Sequence, residues 1–221
     1  MLNAFFSVMQ KSYLKLIAPP FCMYCRSFLV ADTIFCTSCS DRIEPIVSAQ
    51  LHVAKNITIS VYAMSAYKDP IKRLVLAKSW KDVLASRHLG CLVWQHTYLS
   101  YVDFDYIVPI PLHWSRYITR GYNQAHEIAS VLSAESKKPV GSFLRRTQKT
   151  HYQSTLSAEQ RKKNMQKVFA ITQEGLALIK DKHILLVDDL MTTGATVQEA
   201  AKTLLKYRPK KISVVVAARV V

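Results

Sequence analysis

Residues 184–196 read Ile-Leu-Leu-Val-Asp-Asp-Leu-Met-Thr-Thr-Gly-Ala-Thr. Four apolar residues in a row suit a strand covered on both faces. Such a strand delivers Asp188 and Asp189 to its carboxyl end, where open α/β sheets bind ligands. Leu190 and Met191 are expected to turn the chain. Thr192, Thr193, Gly194, Ala195 and Thr196 then present hydroxyls and backbone N–H groups at the mouth of a helix. Gly194 permits close approach of the backbone, and the helix dipole with its free N–H groups favours a phosphate there. Two carboxylates beside a phosphate cradle can accept hydrogen bonds from two sugar hydroxyls. The constellation therefore points to a phosphorylated ribose. No Gly-Lys-Ser/Thr follows, so it is not a P-loop, and G-x-G-x-x-G is missing, so it is not a dinucleotide fingerprint. The plain alternative is a strand end followed by a threonine N-cap.

A second constellation lies near the N-terminus. Cys22-Met-Tyr-Cys25 and Cys36-Thr-Ser-Cys39 form two C-x2-C pairs ten residues apart. Each tight turn lets both thiolates point inward, and the link can fold back to complete a tetrahedron. Four thiolates leave no open position for water, so Zn2+ here would be structural and would supply folding free energy to a segment with almost no core. An iron–sulfur cluster and a redox pair are the alternatives. Cys91 falls in a helical pattern and reads as a small buried hydrophobe.

The elements that must position these residues follow from periodicity and breakers. A helix is expected over 1–18, amphipathic and stopped by Pro19-Pro20. It reads as a docking helix, with a membrane-surface helix as the alternative, and not as a signal peptide. One or two strands are expected over 57–67, helices over 70–80 and 82–99, and a buried strand over 105–112. A helix over 123–137 and a strand over 140–145 come next. Residues 148–167 are polar and basic, a loop with a short helix. Strand 184–187, helix 195–206 and strand 211–221 make a βαβ unit. The fold class is α/β with a mostly parallel sheet. The expected organisation is an N-terminal helix (1–20), a four-cysteine module (21–45) and a main domain (46–221).

Composition narrows the partners. The 221 residues carry a formal charge of +15, which favours anionic partners such as nucleic acid, acidic lipid or a polyphosphate. Nine Lys/Arg face one acid between 137 and 167, among them Arg145, Arg146, Arg161, Lys162 and Lys163. Those five are the candidate contacts for nucleic acid, with Tyr152, Tyr122 or Trp114 to stack bases, core packing being the alternative for the rings. An odd cysteine count in tight pairs suits a reducing cytoplasm. No apolar run reaches the ~18 residues of a membrane span.

Residues 184–196 resemble the phosphoribosyl-diphosphate (PRPP) motif of type I phosphoribosyltransferases: four hydrophobics, two acids, a hydrophobic pair and a threonine–glycine loop. Over most of 20–221 the chain is similar to the ComF competence family. The four cysteines, Val108-Pro-Ile-Pro-Leu-His113 with Arg116, Arg120-Gly-Tyr-Asn-Gln-Ala125, Phe143-Leu-Arg-Arg-Thr-Gln148 and residues 156–164 carry that similarity. Trp114 departs from the pattern, at a place where the family is usually basic. The resemblance implies a type I phosphoribosyltransferase fold that binds PRPP with Mg2+. It implies pyrophosphate contacts from His113, Arg116 and Arg120, with Lys149 in or beside a mobile basic loop. It also implies a role in natural transformation, handling incoming single-stranded DNA with other competence or recombination proteins. If the fold is active, an acceptor-binding hood is expected around 57–70.

Overall fold

Five strands line up in the order β1-β2-β7-β6-β3. They are β1 (Ala49–Ala54), β2 (Ile57–Ala66), β3 (Tyr106–Pro109), β6 (His183–Met191) and β7 (Lys211–Arg219). The four strands from β2 to β3 are mutually parallel, and β1 joins the β2 edge antiparallel. The computed structural model describes residues 20–31, 33–77, 83–112, 117–118, 121–147 and 168–221. It divides into two compact units, Met1–Ile43 and Glu44–Val221.

In the larger unit, the apolar runs at the centres of β6 and β7 are fully buried, as strands with both faces covered must be. Six α-helices are described in chain order, besides a 3-10 turn at Tyr98–Tyr101. They are α1 (Thr37–Ser40) in the small unit, then α2 (Ile71–Ala77), α3 (Val83–His96), α4 (Gln124–Ser136), α5 (Gln173–Leu178) and α6 (Ala195–Leu205). Val197, Ala200, Ala201 and Leu204 of α6 share one buried cluster with Ile184, Leu186, Ile212, Val214 and Val216. Helix α4 packs on β6 and β3 and against α3. Its start is fixed by Asn123, whose Oδ1 accepts the Ala125 N–H at 3.1 Å, and its end by Lys137 at φ 61°. A separate hairpin of β4 (Leu144–Arg146) and β5 (Phe169–Ile171) brackets residues 147–168.

Three differences from the sequence expectations concern the site. Within the stretch 57–70 expected to carry an acceptor hood, residues 60–66 are a core strand paired with β7. Leu190 and Met191 do not turn: β7 stays apolar to Ala218, so pairing continues through Leu190↔Ala218 and Met191↔Arg219. The strand expected over 140–145 begins only at Leu144, with Val140 held by an isolated bridge to Ile107. The helix expected over 1–18 and the basic stretch 148–167 lie outside the described residues. No helix among the described residues is long and apolar enough to cross a membrane.

Candidate functional site

The carboxyl end of β6 is made accessible by unequal strand lengths. β3 stops at Pro109, opposite Val187. Asp188, Asp189, Leu190 and Met191 continue beyond it and keep β7 as their partner. Side chains alternate along a strand, so Asp188 shares the face of Ile184 and Leu186, and Asp189 that of Leu185 and Val187. Both acids are half-buried. The Asp189 N–H donates to Asp188 Oδ1 at 2.9 Å, which fixes that carboxylate at the strand end.

The turn that follows occupies Thr192, Thr193 and Gly194. Thr193 is exposed, Thr192 and Thr196 are half-buried, and Gly194 is buried. Gly194 is the N-cap of α6 at φ 75°, and no side chain caps that helix. A Cβ on Gly194 would lie 3.1 Å from Leu51 Cδ1. Glycine is therefore required twice over, by its left-handed backbone and by the contact with β1. The Gln198 N–H makes the first helical bond, to Gly194 O at 2.8 Å. The N–H groups of the residues before it are the ones that a helix start leaves for an external acceptor. Gln198 Nε2 also donates to His52 O at 2.7 Å, tying the first turn of α6 to β1.

Beside the carboxyl end of β3 lies a cavity of about 590 Å³. Pro111, Leu112, Tyr117, Tyr122, Asn123 and His126 line one part, and Arg145 and Arg146 another. Asn123 Nδ2 donates to Ile110 O at 3.0 Å, joining the strand end to the helix start. Arg145 is exposed, while Arg146 stacks over Phe169, 5.6 Å from the ring centroid. Tyr122 is only 7% exposed, so it packs in the fold and offers no open stacking face. His113, Trp114, Arg116, Arg120, Lys149, Tyr152, Arg161, Lys162 and Lys163 lie outside the described residues. The part played by β1 in shaping the α6 mouth was missed. Its signal was the Lys55-Asn56 turn, with Asn56 at φ 64°.

In the smaller unit the four cysteine sulfurs lie within 4.8 Å of one another, and Cys25 Sγ is 3.7 Å from Cys36 Sγ. The first pair is shaped by a short antiparallel bridge, Phe21↔Phe28, and by Arg26 at φ 66°, whose N–H reaches Cys22 O. The second sits on α1, where Cys39 N–H and Ser40 N–H both donate to Cys36 O. The thiols are electrostatically unequal. The Ser27 hydroxyl, 3.0 Å from Cys25 Sγ, brings Cys25 down to about 6. Burial, with the neighbouring thiols, pushes Cys39 up to about 12. Burial also acts to raise Cys22, but hydrogen bonds from the Cys36, Cys25 and Tyr24 backbone outweigh it and leave that thiol lowered. The four sulfurs are grouped closely enough to hold a metal ion, and a tetrahedral thiophile fits them. With Zn–S near 2.3 Å, the sulfur–sulfur edge of a tetrahedron is about 3.8 Å.

With this geometry in place, comparisons with known proteins show what the chain is similar to. Residues 119–220 match the phosphoribosyl transferase domain. Competence protein F of Haemophilus influenzae is 36% identical over 113 residues, 49% of this chain and 47% of the relative. Over that half the chain is similar to a competence protein. DNA utilization protein YhgH of Escherichia coli K12 is 36% identical over 103 residues, 46% of this chain and 44% of the relative. The chain thus aligns with about half the length of these curated relatives. Among solved structures, adenine phosphoribosyltransferase from Thermoanaerobacter pseudethanolicus is 13% identical at a TM-score of 0.41, covering 82% of this chain and 98% of that one. The fold is of the type I phosphoribosyltransferase class, with a four-cysteine cluster in the N-terminal unit.

Proposed function

We propose that this protein is a competence protein of the ComF kind that binds PRPP and handles single-stranded DNA during natural transformation, in the cytoplasm. One observation carries the reading: two carboxylates at a strand end left uncovered by β3, followed at once by an uncapped helix start behind a positive-φ glycine. In this reading the 5'-phosphate takes the N–H groups and hydroxyls of residues 192–196, and Asp188 and Asp189 hold the ribose hydroxyls. These acids orient the sugar and do not act as general bases. The basic residues His113, Arg116, Arg120 and Lys149 would meet the diphosphate. Mg2+ accompanying PRPP would neutralise charge there. The names of the relatives, competence and DNA utilization, support the DNA role. The net charge of +15 supports it independently.

The cysteine cluster fits Zn2+, which would hold the small unit closed and draw all four sulfurs to the thiolate form. Cys22, Cys25, Cys36 and Cys39 would be its ligands.

The test uses equilibrium dialysis with labelled PRPP and Mg2+, followed by a pyrophosphate assay with added nucleobases. Binding without turnover is the expected result. Pyrophosphate release that depends on an acceptor would make the chain a transferase. Absence of PRPP binding would remove the ligand half of the reading.

A further inference from the structure

The amino ends of β6 and β7 carry a second feature, at the opposite pole of the sheet. β6 spans nine residues from His183 to Met191, so at ~3.3 Å per residue its two ends are roughly 26 Å apart. Two loops meet at the amino pole, 179–182 before β6 and 206–210 before β7. They are joined by backbone bonds. Asp181 N–H donates to Arg208 O at 3.1 Å, and Lys210 N–H donates to Lys182 O at 2.9 Å. Lys211 then stands beside His183 in the first rung of the β6–β7 ladder. His183 anchors this corner from within, its ring nitrogens meeting Asp103 O and Ser213 Oγ.

Lys180, Lys206, Arg208, Lys210 and Lys211 are all exposed on this corner. Among the described residues none of the five is in an ion pair. Lys182 does pair, with Asp105 at 3.4 Å, and Asp181 is the one acid within the two loops. The two joined loops bring five exposed cations to one corner of the sheet, with Asp181 the one acid among them. That arrangement costs stability unless something anionic compensates it. The two loops expose no large apolar side chain for insertion into a bilayer. A row of phosphates matches them better than a lipid surface does.

We propose that this platform docks the phosphate backbone of single-stranded DNA. The inference rests on the DNA-handling reading above and gives it a location away from the PRPP site, so strand and PRPP bind together without competition. The contact is electrostatic and independent of sequence.

The experiment measures affinity for an oligothymidylate of about 20 nucleotides as a function of salt. It compares the full chain, the variant Lys206→Gln/Lys210→Gln and a charge-matched control, Lys68→Gln/Lys72→Gln. Each phosphate contact on a single strand contributes about 0.7 to the slope of log affinity against log salt. The platform variant should lower that slope by about 1.4, the control by less than half as much, and PRPP binding should stay unchanged in both. Saturating PRPP should leave wild-type strand affinity unaltered. If the wild type binds no strand, the DNA-handling reading fails and the platform proposal with it. If the wild type binds and the two variants have equal slopes, the placement alone is wrong. Loss of binding to phosphatidylglycerol vesicles, with strand binding intact, would replace the nucleic acid with a membrane and overturn the proposal.

Discussion

Replacing Gly194 by alanine tests the helix mouth through two separable costs. At φ 75° an L-residue sits in the left-handed region, which costs about 1–2 kcal/mol. The new Cβ would also lie 3.1 Å from Leu51 Cδ1, so the leucine must give by a few tenths of an ångström. Against this, alanine narrows the unfolded ensemble and returns about 0.4–1 kcal/mol. The net loss is about 1 kcal/mol, a fall of roughly 3 °C in Tm for a chain of this size. Gly121 supplies the comparison. Its φ is 80°, and no described atom lies within 4 Å of an added Cβ. Gly121→Ala therefore reports strain alone, and Gly194→Ala should lose more. The ligand effect is the sharper readout. Moving the Leu51 contact or the φ of Gly194 displaces the first N–H groups of α6, and PRPP affinity should fall about tenfold, equivalent to ~1.4 kcal/mol. Differential scanning fluorimetry and PRPP dialysis measure both. A Gly194→Ala protein with unchanged Tm and unchanged PRPP affinity would refute the assigned role of this turn.

Other consequences are open to simple measurement. Asn123→Ala removes the cap on Ala125 N–H and the bond to Ile110 O, and should cost about 1.5 kcal/mol, read as a shifted urea midpoint. Purified protein should hold one zinc per chain by elemental analysis, and a strong chelator should open the 20–43 segment to protease; a metal-free preparation with the same protease resistance would disprove a structural metal. Burial holds His183 below its ordinary value of 6.5, with the Asp103 carbonyl opposing and the Lys211 charge assisting. The native state then binds fewer protons than the unfolded state once pH falls below about 6.5, so stability is full above that pH and declines as pH falls. His183→Gln should flatten that part of the profile, and parallel urea midpoints for both proteins between pH 5 and 7.5 would exclude the histidine as its source.

The parts legible in the sequence were those in which one signal dominated. The apolar runs of β6 and β7 read as covered strands, and the apolar face of Ala125, Ile128, Ala129 and Leu132 announced α4. The acid pair and glycine loop were legible because their spacing is tied to one local geometry. β1 was less visible: its sequence, Ala-Gln-Leu-His-Val-Ala, has an edge strand's mixed exposure and little apolar contrast. β5 and α5 were hidden because three strand residues and six helix residues give no period to read; the Thr172 cap on Gly175 N–H was their only local mark. The length of β6 depended on β7. Leu190 and Met191 read as a turn in isolation and become strand because Ala218 and Arg219 are there to pair with them. The amino-pole platform was equally inaccessible, since 179–182 and 206–211 are brought together only by the sheet.

The central claim is that the β6 carboxylates and the α6 mouth jointly grip a sugar and its phosphate. Calorimetric titration of PRPP with Mg2+ into the wild type and into Asp188→Asn/Asp189→Asn tests it most directly. The account predicts saturable one-to-one binding by the wild type and a loss of at least tenfold in the variant, with the variant's Tm retained. Equal affinities for a folded variant, or heats indistinguishable from dilution for the wild type, would contradict it.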